Sequence, residues 1–323
     1  MGVAAAVTAA AVWAVSAVLL ASQRQTVDFV SVSALRLVAA SLFFLVVVWP
    51  LGANADLARM SFDDVWQLIG TAMLNLAVGD TFYIGAVMLL GVNFAYPAGL
   101  GLFALFSFLL SVIFLGETVT WDTALGSALV LAGVYVVLLY GRETAPTPAP
   151  VPLTAQRGGA AAAAADRTPG PTTALRARMP GRVAIGLLLL LITAVSWAGG
   201  TVWLRDVSEG FDAAAVGLVR IPSAMITIGA VAFLTPGSSL RRRTVSRRSH
   251  GVLAVEGLLG AGIGSLLLIF AVQNIGAGET AVLVSLSPLF ALPLAAVFLG
   301  ERVTRWLVVG IVLAVAGIIL LSA

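Results

Sequence analysis

Asp80 has the strongest claim to chemistry. It sits near the middle of an apolar run, in Asn75-Leu76-Ala77-Val78-Gly79-Asp80-Thr81-Phe82-Tyr83, with no basic residue close by in sequence. An ionisable group in hydrocarbon costs roughly 2.5–3.5 kcal/mol on insertion scales, so function or a partner must hold it there. A carboxylate in that position is suited to taking up and releasing a proton, or to meeting a cationic group on a solute. The structural alternative is a buried pair with Arg36 or Arg220. Tyr83, at +3, shares the helical face of Asp80, whereas Asn75, at −5, is less well aligned. Arg36 and Arg220 lie about two turns into their own apolar runs. There they either attract a carboxylate or phosphate, or snorkel and cap the carbonyls of a neighbouring helix. Trp13, Ser16 and Trp197 are mid-run, so the two indoles are candidates for walling a solute cavity. An interfacial aromatic belt is the competing explanation, and it suffices for Tyr96, which lies near an interface. Glu256 lies about one turn inside its run and reads as an interfacial group paired with Arg247 or Arg248. Glu117 and Glu301 close their runs and read as caps of the helices that follow. Gln273 and Asn274 end another run. Pro97, Pro288 and Pro293 remove intrahelical hydrogen bonds, which suits either a gating bend or plain packing; Pro288 is the gate candidate.

Several chemistries are excluded. The chain has no cysteine, so disulfides, thiolate metal sites and cysteine nucleophiles are out. Its single histidine, His250, lies in an arginine-rich loop, which leaves no histidine for a metal or catalytic centre in an apolar run. A serine-type intramembrane enzyme needs such a histidine. An aspartyl type needs two facing membrane aspartates, and Ala77-Val78-Gly79-Asp80 supplies one outside a GxGD pattern. Nothing resembles a Walker motif, so direct use of ATP is not expected. No metal or cofactor is expected either.

The elements that must position these residues are membrane helices. The chain has 323 residues, 60% of them apolar and 10% charged, with a mean hydropathy of +1.06. Soluble domains sit near 45–50% apolar and about 25% charged. Crossing about 30 Å of hydrocarbon takes about 20 apolar residues as a helix. Ten such segments can be read, at 2–21, 30–51, 66–90, 93–115, 121–140, 182–204, 212–235, 251–274, 278–299 and 305–322. They are long apolar runs without period-2 alternation, which argues against a barrel. The expected class is an all-α integral membrane protein. Residues 141–181, rich in Pro, Gly, Ala and Thr, read as a flexible linker between units 1–140 and 182–323.

Those units are copies. FLGETVT at Phe114–Thr120 returns as FLGERVT at Phe298–Thr304, 184 residues later. The same offset carries Trp13 to Trp197, Asp28 to Asp212, Arg36 to Arg220 and Gly126 to Gly310. Five spans per copy would insert the second copy in the opposite sense, giving two inverted five-helix repeats. Secondary transporters commonly have this plan, with the site near the midplane between the repeats. Asp80 falls opposite Gly264 and so stands outside the shared skeleton.

All 18 basic residues are arginine, and 14 lie in loops after odd-numbered spans against two, Arg59 and Arg205, after even-numbered ones. The positive-inside rule then puts the linker and the 236–250 loop in the cytoplasm and both termini outside. The loop reads as a basic turn near anionic lipid head groups rather than a nucleic-acid site.

Five-helix copies closing on FLGE and Val-Thr, with an arginine early in each second span, resemble the EamA family of the drug/metabolite transporter superfamily. In the second copy AGETAVLVSLSPLFALPLAAVFLGERVT is close to the family pattern, with Pro288 at the usual proline; in the first, Pro97 sits earlier in the helix. The resemblance implies a plasma-membrane exporter of small metabolites or drug-like solutes; ten spans suffice for a complete path in a monomer, and a dimer is allowed but not required. It also implies that many members keep both termini in the cytoplasm, opposite to the arginine count. The expectation is therefore a secondary transporter with membrane lipid and a small solute as its partners. A non-transporting scaffold or passive channel is the alternative.

Overall fold

The computed structural model describes residues 1–23, 27–90, 92–116, 120–140, 180–290 and 305–321, and these are built from helices and turns. Helix α1 (Gly2–Gln23) and α2 (Phe29–Val47) are followed by a short α3 (Asn54–Arg59). Helix α4 (Phe62–Ala72) runs through a π-helical segment, Met73–Asp80, into α5 (Thr81–Leu90). Helix α6 (Val92–Leu110) ends in a π turn, Ser111–Leu115, before α7 (Trp121–Tyr140). The second half holds α8 (Pro180–Val207), α9 (Ala213–Leu234) and a short α10 (Ser239–Arg242). Helix α11 (Arg247–Glu256) passes through a second π segment, Gly257–Gly264, into α12 (Ser265–Ile275), followed by α13 (Ala277–Val284) and α14 (Arg305–Leu321). Most of the linker, Glu117, Pro293, Glu301 and the end of the 278–299 segment lie outside the described residues.

Six of these helices are long and apolar enough to cross a bilayer: Phe29–Val47, Phe62–Val87, Ala98–Leu115, Val183–Val207, Ala213–Leu234 and Arg247–Ile275. Three shorter apolar helices, Gly2–Ala17, Ala277–Phe290 and Val308–Gly317, accompany them. Large apolar side chains such as Leu42, Val46, Ile226, Phe233, Val312 and Ile319 are exposed on the outer face, as a lipid-facing surface requires. The helix starts outside that face are capped. Asp28 and Asp212 accept from the backbone N–H groups of Ser31 and Ala214. Ser61 and Asp64 form a reciprocal capping box.

The two halves interlock. Helix α1 packs along the second π segment and α12, where a Cβ on Gly2 would meet Ile275 at 2.7 Å and one on Gly264 would meet the Trp13 indole at 2.4 Å. Helix α8 repeats the pattern on the first π segment and α5, with Gly186 against Leu90 and Gly79 against Trp197. Helices α2 and α9 lie antiparallel. Asp28, at the start of α2, binds Ser239 just past the end of α9. The Asp212 N–H at the start of α9 binds Asp56 just past the end of α2. Helices α7 and α14 close on glycines, Gly133 facing the Gly310 carbonyl and Gly317 facing that of Gly126. Glycine is needed at these crossings because any side chain would strike backbone.

The two π segments start 184 residues apart, at Met73 and Gly257, and both end in the stretch under a mid-helix tryptophan. Such wide turns inside α-helices occur often at functional sites.

Candidate functional site

A cavity of about 560 Å³ opens between the halves, walled by α1, α2, the first π segment, α5, α6, α8, α9, the second π segment and α12. Trp13, Arg36, Asn75, Asp80, Tyr83, Trp197 and Arg220 all line it. All the sequence-predicted candidates except Pro288 therefore meet at one site. The cavity reaches Leu20, Val27 and Val87. Because Asp28 is bonded to Ser239, these residues mark the end of the bundle that carries the arginine-rich loop.

Asp80 ends the first π segment and binds two groups. Its Oδ2 accepts from Arg36 Nη2 at 3.0 Å, and its Oδ1 accepts from Trp197 Nε1 at 3.0 Å. The pairing with Arg36, one of the two open in the sequence, is thus the one formed. Gly79 lets the Trp197 ring lie flat on the segment, since a Cβ there would stand 2.4 Å from Trp197 Cδ1.

Glu256 departs from its sequence reading. It is fully buried and pairs with Arg36 rather than with Arg247 or Arg248; Arg36 Nη1 lies 3.5 Å from its Oε1, and Ser16 Oγ donates to that oxygen at 2.6 Å. Its Oε2 has no hydrogen-bond partner among the described residues. The reason is helical rise. Helix α11 begins at Arg247, so Glu256 stands nine residues in, about 13 Å along the axis at 1.5 Å per residue. One guanidinium from the first half thus bridges two carboxylates, Asp80 from its own half and Glu256 from the other.

Arg220 forms a second centre. It is 3% exposed. Its Nε donates to Thr71 Oγ1 at 2.9 Å and its Nη2 to Asn75 Oδ1 at 2.8 Å. The Asn75 amide in turn donates to the Trp197 carbonyl at 2.9 Å. Thr71 drew no notice in the sequence, although at i−4 from Asn75 it shares that residue's face. Asn75 and Asp80, misaligned on an α-helix, both face the cavity because the π turns between them carry one extra residue each.

The aromatic wall comes from four helices. Trp197 packs on Tyr83 with ring centroids 5.2 Å apart and edge-on to Phe103 at 6.0 Å. Tyr96, expected at an interface, instead lines the cavity, its hydroxyl 2.6 Å from Ser287 Oγ. The bond to Ser287 holds it across the bundle, and Ser287 donates onward to the Ala10 carbonyl at 2.8 Å. Trp13 donates through Nε1 to the Gly260 carbonyl at 3.0 Å. Pro288 is buried beside this group but is not a cavity residue. Helical bonding breaks just before it, through Ser285 and Leu286, as a missing N–H demands. Gln273 lies elsewhere and ties the α8–α9 turn by donating to the Ser208 and Phe211 carbonyls.

Comparison with known proteins fits this architecture. A protein of known crystal structure superposes with a TM-score of 0.68 at 19% identity, over 99% of this chain and 94% of its own, which speaks to the fold alone. An uncharacterized transporter of Archaeoglobus fulgidus is 24% identical over 79% of this chain and 74% of its own length. A Streptantibioticus cattleyicolor protein, named a probable terminal-alkyne amino-acid exporter, is 30% identical over 128 residues; the match spans 40% of this chain and only 41% of that exporter. The sequence profile of the EamA-like transporter family matches residues 1–139 and 184–323, and the chain, a multi-pass membrane transporter, belongs to that family.

Proposed function

We propose that the chain is a secondary-active, alternating-access exporter of small metabolites, with a proton carried at the Arg36–Asp80–Glu256 cluster. One observation carries this reading: a single guanidinium bridges two carboxylates from opposite halves at the wall of the cavity. With all three groups ionised the trio has a net charge of −1, and one proton neutralises it. Burying an unbalanced charge is costly, so a cycle that dries and re-wets the cavity gains from moving a proton on and off these acids. They titrate as a pair, and the carrier is the cluster rather than either residue alone.

The ten-span inverted repeat belongs to this proposal. It is supported by the antiparallel pairing of α2 with α9 and by the glycine contacts that recur at the 184-residue offset. Rocking of one half against the other about the interlocked helices is the corresponding motion. The positive-inside rule makes the end bearing Leu20, Val27 and Val87 cytoplasmic, so the cavity would load from the cytoplasm. The partial likeness to an amino-acid exporter favours outward movement of a small amino-acid-like solute.

The test is untargeted profiling of solutes inside and outside cells overproducing the wild type or Asp80→Asn at matched membrane levels. Export predicts compounds that shift outward with the wild type alone. If both proteins shift the same compounds equally, transport stands and proton coupling at Asp80 falls. If neither shifts anything, the exporter reading falls.

A further inference from the structure

Arg36 and Arg220 occupy matching positions in the two halves, yet their surroundings differ in charge. Arg36 meets Asp80 and Glu256. At the 184-residue offset, the counterparts of these acids are Gly264 and Ala72. Arg220 therefore keeps its place in the frame with both acids removed. Its two partners, Thr71 and Asn75, are neutral.

The geometry of those bonds matters. Nε and Nη2 form the side edge of the guanidinium, and Thr71 and Asn75 occupy it. The end edge consists of Nη1 and the second N–H of Nη2. Among the described residues it has no hydrogen-bond acceptor, and Arg220 forms no ion pair. That edge is a planar fork of two parallel N–H donors, which matches a carboxylate bidentately. A buried cation without a counter-charge is expensive to keep. Arg220 is 3% exposed and lines the cavity, so a ligand in the cavity can return the missing charge.

We infer that Arg220 binds the carboxylate of the transported solute, and that the solute is a small monocarboxylate with an apolar or aromatic body. The assignment rests on reading the cavity as the transport site. The body is specified by Trp197, Tyr83 and Phe103, which wall the same space. A phosphate dianion fits less well, because one fork balances one charge.

Three probes of similar shape test this on purified protein: 3-phenylpropanoate, 3-phenylpropan-1-ol and phenethylammonium, with binding read by calorimetry or thermal shift. The expected result is that the wild type binds the carboxylate at least about tenfold more tightly than the alcohol or the amine, as a charge-assisted fork should. Arg220→Gln should erase that preference and leave the alcohol unchanged. Asn75→Asp keeps the arginine but sets a carboxylate where the Asn75 Oδ1 lies, 2.8 Å from Nη2. It should erase the preference too, and it guards against misfolding of the first variant. The inference is overturned if the wild type shows no preference for the carboxylate, or if the preference survives in either variant. Vesicle flux separates the two readings. Arg220-dependent binding without flux sinks transport and leaves the anion site standing. Carboxylate flux that ignores Arg220→Gln sinks the anion site and leaves transport standing.

Discussion

Asp80→Asn is the sharpest test of proton coupling. Asparagine has nearly the same shape, and its carbonyl can still accept from Trp197 Nε1, which lies 3.0 Å from Asp80 Oδ1. What disappears is the charge facing Arg36 at 3.0 Å. With the carbonyl on Trp197, the amide NH2 faces Arg36 donor to donor and the charge-assisted bond is lost, at a cost of roughly 1.5–3 kcal/mol, which a folded chain tolerates. The functional effect is larger. Arg36 and Glu256 alone are balanced one to one, so the variant has no need of a proton. A gradient of about two pH units is worth about 2.7 kcal/mol per proton, or about 100-fold accumulation at one proton per solute. The variant should fall to about onefold while still exchanging solute between equal pools.

The assay uses proteoliposomes loaded with the solute that profiling identifies, with a pH gradient imposed in either direction and a trapped pH dye reporting proton movement. Counterflow at equal pH is measured in parallel. Wild-type accumulation that follows the gradient, together with variant counterflow that does not, is the expected pattern. Equal accumulation by Asp80→Asn would refute the charge-count argument, as would wild-type flux indifferent to the gradient.

Arg36→Met leaves Asp80 and Glu256 buried without their cation, and breaking such a pair costs about 3–5 kcal/mol. A lower melting temperature in detergent and a reduced membrane level are expected, with partial recovery when Glu256→Gln is added. Asp28, outside the spans, is pushed up by burial but pulled further down by the N–H groups of Ser239 and Ser31 and the Ser31 hydroxyl, so its carboxyl sits below the ordinary 3.8. A depressed acid stabilises the fold above the unfolded value and loses that contribution as pH falls through the folded one. The melting-temperature advantage of wild type over Asp28→Asn should therefore be level from neutral pH down to about pH 5, decline as pH passes 3.8, and be gone once pH has fallen through the lower folded value. The chain lacks cysteine and His250 is exposed, so His250→Cys reports orientation directly. It should resist an impermeant maleimide in intact cells and react after permeabilisation if the arginine-rich loop is cytoplasmic.

Much of the site was legible because ionisable and aromatic residues inside apolar runs need a reason to be there. Asp80, Arg36, Arg220, Trp13 and Trp197 stood out on that ground alone, and they converge on the cavity. Glu256 was misread because a hydropathy window begins the span near the arginine loop, whereas the helix begins at Arg247 and carries the glutamate into the bundle. Hydropathy measures depth from the first apolar residue and not from the helix start. Asn75 was undervalued because α-helical spacing was assumed through Met73–Asp80, and a π segment has no signature in composition. Tyr96 was assigned to an interface from its place near a helix end. Its direction depends on Ser287, 191 residues away, which no local pattern reports.

The halves share a frame and differ in what fills it, and the difference gives the site its direction of control. Trp13 and Trp197 both lay their indole N–H on a π segment. Trp13 finds the Gly260 backbone carbonyl, because at Asp80's counterpart, Gly264, there is no side chain to meet. Trp197 finds the Asp80 carboxylate. One indole is thus held by a group that cannot titrate and the other by a group that can. A hydrogen bond to a charged acceptor is worth about twice one to a neutral acceptor, so a proton on Asp80 weakens the hold on Trp197. That ring touches both Tyr83 and Phe103. On the proposed mechanism, the aromatic wall around Trp197 is therefore the part of the cavity that answers to the proton, while the Trp13 side stays fixed as the surface against which it moves.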